Sequence, residues 1–141
     1  MHRGRSRAFA YYLLAGLMIF QALSGLWGGG ALILDPSGGL LHMPLRLLDG
    51  APFSNYLVPG IILFVMLGIV PTVVFYGLIR SLKWSWNGAV IVSLALIIWI
   101  GVEIAMVGYH ADPPLQLVYG LTGILMLIIT QLPAVKQILK P

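Results

Sequence analysis

Apolar residues fill four long stretches of this chain, and the polar residues between them are few and sharply placed. A helix rises 1.5 Å per residue, so about 20 apolar residues cross roughly 30 Å of hydrocarbon. Four segments reach that length: Ala8 to about Leu34, Leu57 to Ile79, Gly88 to Gly108, and Pro114 to about Leu132. The pattern predicts an all-α integral membrane domain, an antiparallel four-helix bundle, as the one domain of residues 1–141.

The boundaries carry physical markers. Asp112, Pro113 and Pro114 suit the start of the fourth helix, because an Asp can cap free amides and proline is tolerated in a first turn. Ser54, Asn55 and Pro59 play the same part for the second. Pro71 lies inside the second span, cannot donate to the Leu67 carbonyl, and is expected to bend the helix. The first stretch is too long for a perpendicular helix, so it either tilts or breaks near Gly28, Gly29 and Gly30. Its start, MHRGRSRAFAYYLLAG, has the basic beginning of a signal peptide. The apolar run continues far past the roughly 15 residues of such a peptide, which predicts a first span left in place.

Basic residues set the orientation. Arg3, Arg5, Arg7, Arg80, Lys83, Lys136 and Lys140 fall on one side and only Arg46 on the other, which puts both termini in the cytoplasm. Trp84 and Trp86 are then expected in the short inner loop as interfacial anchors. The outer loop, residues 35–56, holds Leu40, Leu41, Met43, Leu45, Leu47, Leu48 and Phe53. Pro44 and Gly50 bound a possible short helix there, which either lies on the membrane surface or folds over the bundle mouth.

Composition narrows the classes further. With 60% hydrophobic and 9% charged residues, against about 25% charged in soluble domains, the chain belongs in a bilayer. Its net charge of +4 comes from clusters beside apolar runs, without the continuous basic face that nucleic acid requires. The absence of cysteine excludes disulfides, thiol redox chemistry and thiolate metal sites.

One residue breaks the apolar pattern. In IIWIGVEIAMVGYH, Glu103 stands inside the third span. A charge at such a depth costs about 2.5 to 3.5 kcal/mol, so the side chain should face protein or water, or be neutral. The expectation is a protonated carboxyl, unless Arg46 folds down and stabilises the anion. Measured along their helices, Glu103 and Tyr119 lie roughly 8 Å below the outer surface, and Gln21 lies roughly 20 Å up from the inner one. They share a layer, which predicts a cluster in which Gln21 and Tyr119 donate to Glu103, with Gln116 and Thr122 beside Tyr119. Trp99, one turn below Glu103 on the same face, either lines a pocket or fills the core. The candidate ligand-binding set is Glu103, Gln21, Tyr119, Trp99, Gln116 and Arg46. The alternative for each is helix packing, since polar membrane residues also hold helices together.

Opposite Glu103, Gly101, Ala105 and Gly108 follow small-residue spacing. Either the third helix sits amid the bundle, or this face meets a second chain in a homodimer or a larger membrane complex. Gln21, Ser24, Gly25 and Gly28 form a similar stripe on the first span. His42, His110, Asp112 and Asp35 share the outer side without metal-ligand spacing. No nucleophile, phosphate-loop or dinucleotide motif is present, so no catalytic residue, metal or cofactor is expected.

The stretches LILDPSGGLLHMPLRLLDGAPFSNYLVPGIILF and IWIGVEIAMVGYHADPPLQLVYGLTGI resemble a group of small bacterial four-span proteins, loosely DoxX-like. The resemblance rests on the DPSG turn, the PF-x-x-YL-x-PG segment and GVE-x-x-x-x-GY, and it implies a compact four-helix bundle in a bacterial inner membrane. It implies no catalytic residues. The expected function is to hold a lipid-like or small amphipathic ligand, or a partner helix, in an outer-leaflet pocket around Glu103. The alternatives are a dimeric proton-coupled exporter and an accessory subunit of a membrane complex.

Overall fold

A computed structural model describes residues 2–41, 54–107 and 115–139, and these are helical nearly throughout. The elements are α1 (His2–Leu34), a 3-10 turn (Gly39–Leu41), α2 (Leu57–Phe64), a π-turn (Val65–Ile69), α3 (Val70–Ile79), α4 (Trp84–Val107), α5 (Leu115–Thr130) and α6 (Pro133–Leu139). Among the described residues, three segments are long and apolar enough to cross a membrane: Phe9–Leu34, Leu57–Ile79 and Trp84–Ala105. α5, of 16 residues, makes a fourth only together with α6, which it meets at 70°.

Glycine explains how the first two spans come together. α1 runs through Gly28, Gly29 and Gly30 without the break that the sequence allowed. A Cβ at Gly29 would lie 2.5 Å from Phe64 N, and one at Gly25 would overlap the Leu67 carbonyl. Only glycine lets the two backbones approach so closely. The 26 apolar residues of the first span measure roughly 39 Å, so tilt is the accommodation left to them.

The second span begins at Leu57, whose N–H is accepted by Asn55 Oδ1 at 3.0 Å. Around Pro71 the chain makes a wide turn: Val70 N–H donates to Val65 O, five residues back instead of four.

At the junction of the second and third spans and at the C-terminal end, two expectations need correction. Trp84 and Trp86 open α4 instead of lying in the loop. The Trp84 ring packs where a Gly77 Cβ would otherwise stand, and Ser85 Oγ donates to Leu82 O at 2.5 Å, which winds these residues into the first turn. The fourth predicted stretch stops at Thr130, and Pro133 starts the separate helix α6, whose Val135 and Leu139 are fully buried. Trp86 Nε1 donates to Thr130 O at 2.8 Å, and Lys136 lies over the Trp86 ring. Tyr11 donates its hydroxyl to Leu78 O.

Leu14, Met18, Leu67, Leu78, Leu96 and Met126 form the centre of the core, each at most 1% exposed. The outer surface is apolar instead of polar, with Phe9, Trp27, Leu34, Ile79 and Ile98 among the exposed side chains. Such a surface is stable against acyl chains and not against water.

Candidate polar pocket

The threonine and Ser93 hydroxyls in the spans are spent within their own helices. Thr72, Ser93 and Thr122 donate to the carbonyls four residues back, at 2.8, 2.7 and 2.8 Å, and Thr130 donates to the Leu127 carbonyl at 2.6 Å. Gln21, Glu103 and Gln116 instead bond outside their own helices.

Glu103 is half-buried near the C-terminal end of α4, and Gln116 Nε2 donates to its Oε1 at 3.2 Å from the first turn of α5. Gln116 is 5% exposed, so the bond is sheltered. Tyr56, just before α2, is 3% exposed and feels the same carboxylate. Burial first, and the Glu103 charge second, push the Tyr56 hydroxyl above its ordinary pKa of 10.0. Its backbone is pinned by Tyr56 N–H donating to Pro36 O at 2.8 Å, within a turn where Ser37 Oγ donates to Asp35 Oδ1 at 2.6 Å. The DPSG segment thus positions an aromatic residue beside the acid. Sequence reasoning left Tyr56 out of the site. The available signal was its place directly ahead of the second span, on the outer side.

Two predicted donors go elsewhere. Gln21 Nε2 donates to Leu67 O at 3.2 Å, and its Oε1 has no partner. Tyr119 stacks on Phe20 with ring centroids 5.7 Å apart, so its ring faces α1. Equal depth put these residues in one layer but not on one azimuth, and Gln116 is the amide that points at Glu103. Trp99 packs against the core. Arg46, with His42, His110 and Asp112, lies outside the described residues.

Beside the Glu103–Gln116 bond, the seam of α4 and α5 carries an open groove of about 200 Å³ lined by Ile100, Ile104, Gln116, Leu117, Gly120, Leu121 and Ile124. It exists because Gly120 carries no side chain: a Cβ there would sit 3.6 Å from Ile100 Cγ2, in ordinary contact, and anything longer would enter the space. The groove is apolar along its length, with the nearly buried Gln116 at one end, which suits an acyl chain. On another side of α4, Gly101 and Ala105 are exposed, and a Cβ at Gly101 would touch nothing. Gly108 lies outside the described residues. Among the described residues, no three His, Cys, Asp or Glu gather as metal ligands.

Comparison with protein-family models, with curated proteins and with solved structures finds no match to this chain. Its chemistry is therefore read from its own residues.

Proposed function

We propose that this chain is a multi-pass protein of the bacterial inner membrane, a four-helix antiparallel bundle with both ends cytoplasmic, that binds a lipid-like amphiphile in its outer leaflet. The single observation that supports this most is the Gln116–Glu103 hydrogen bond at the end of the Gly120 groove. An alkyl chain lies between α4 and α5, and its polar end meets Gln116, Glu103 and Tyr56. No catalytic step is assigned.

Native mass spectrometry of the gently extracted protein tests the reading. Gly120→Leu fills the groove, whereas Gly16→Leu adds the same side chain at an exposed site with nothing within 4 Å. The bound amphiphile is expected to survive Gly16→Leu and to disappear with Gly120→Leu. Equal retention by both variants rejects the groove as the binding place.

A second reading has its own support. The exposed Gly101 and Ala105 face is available to a second copy or a membrane partner, as an exporter dimer or an accessory subunit requires. Proton coupling through Glu103 would then vanish with Glu103→Gln while folding remains.

A further inference from the structure

Gly60 and Gly68 both press against α1: a Cβ at Gly60 would stand 2.7 Å from Leu32 Cβ, and one at Gly68 2.9 Å from Leu26 N. In a straight α-helix, residues eight apart lie about 80° from each other. A π-turn absorbs one extra residue and brings such a pair to within about 20°. The turn Val65–Ile69 falls on the stretch joining these two glycines, and Val70 N–H reaches Val65 O. Straightened, the span would bring Ile61 to Leu32 where only Gly60 fits.

Holding the turn requires a donor from outside the span. Pro71 has no N–H, so the Leu67 carbonyl loses its intrahelical partner inside the membrane. Gln21 supplies that donor from α1 at 3.2 Å, at 2% exposure and with its own Oε1 left unpartnered. A buried unpartnered oxygen is costly, and here the other end of the amide satisfies a carbonyl that Pro71 cannot.

We infer that the π-turn is a one-residue register device sealed by Gln21, a positioning residue that turns the outer half of the second span so that Tyr56 comes to the Glu103 pocket. This holds whatever the pocket binds, so its failure is separate from failure of the ligand reading.

Deletion is the decisive test. Removing Met66, which is 41% exposed, leaves Val65 four residues before Val70 and turns the same N–H to carbonyl pair into an ordinary α-helical bond. Because the chain has no cysteine, two engineered pairs report register cleanly. Gly28→Cys with Leu63→Cys reads the outer half, since a Cβ at Gly28 lies 3.4 Å from Leu63 Cδ2. Gly88→Cys with Val74→Cys reads the inner half, where the Cβ separation of 3.6 Å suits a disulfide.

Deleting Met66 is expected to keep both pairs crosslinking within about twofold of the full chain, while deleting Val73 lowers at least one on the order of tenfold, because it rotates one half by about 100°. Failure of the Met66 deletion to fold or crosslink overturns the device, and so does equal tolerance of both deletions. Gln21→Leu should lower the outer crosslink about threefold, and Gln21→Leu with Pro71→Ala should restore it by returning an N–H to the span. An unchanged yield in the single variant, or no recovery in the double, overturns the positioning role.

Discussion

The seam between α1 and the second span and the seam between α4 and α5 are both built on glycine, and they differ where Gly120 sits. In the first, Gly25, Gly29 and Gly68 face backbone atoms, and no space is left between the helices. In the second, a Cβ at Gly123 would meet the Ser93 carbonyl at 3.3 Å, but Gly120 faces only the branched side chain of Ile100 and leaves a groove beside it. Gly101 faces nothing at all. What a small residue accomplishes in a membrane helix is thus decided by the atom opposite it: backbone gives a clamp, a branched side chain gives a cleft, and open space leaves a free face.

Substitutions should separate these cases in order of effect. Gly25→Ala, whose Cβ meets the Leu67 carbonyl, should destabilise the fold by about 3 kcal/mol, read from the unfolding midpoint in detergent. Retention of full stability would break the contrast between clamp and cleft. Gly120→Leu should leave the melting temperature close to wild type and reduce bound amphiphile on the order of tenfold, as loss of about 1.4 kcal/mol or more implies. Glu103→Gln keeps an acceptor for Gln116, so folding should persist while ligand retention falls about fivefold, near 1 kcal/mol, in a lipid-exchange assay.

Alkaline titration gives a smaller effect with a definite sign. The Tyr56 hydroxyl holds its proton more tightly in the fold than in the unfolded chain, so its contribution is complete below pH 10.0 and is lost as pH rises toward the folded value. Tyr56→Phe should flatten that part of the stability curve, and Glu103→Gln should reduce it only in part, because burial is the larger cause. Smallest of all, Gly101→Leu should change monomer stability by less than about 0.5 kcal/mol. A large loss, or collapse of an oligomer on sizing, would show that this free face is covered by another chain.

Much of this architecture was legible in the residues. Leu57 begins its span where Asn55 and Pro59 announce it, and the stripe through Gln21 and Gly25 marks a helix contact. Pro71 revealed an orphaned Leu67 carbonyl, but its donor could not be found from spacing within one helix, because Gln21 comes from another. Depth along a helix placed Glu103 in a polar layer and ranked Gln21 and Tyr119 as its donors. Rotation about each axis, set by packing, instead aims Gln116 at the acid and Tyr119 at Phe20. α6 escaped notice because seven residues after a proline look like a tail until Val135 and Leu139 find the core.

The most direct test of the central claim is photo-crosslinking in bilayers whose lipids carry a diazirine in the acyl chain, with labelled positions mapped by peptide mass spectrometry. Labels concentrated at Ile104, Leu117, Leu121 and Ile124, and lost with Gly120→Leu, are the predicted result. Labels spread evenly over positions at least as exposed, such as Ile79, Ile91 and Ile98, would contradict it.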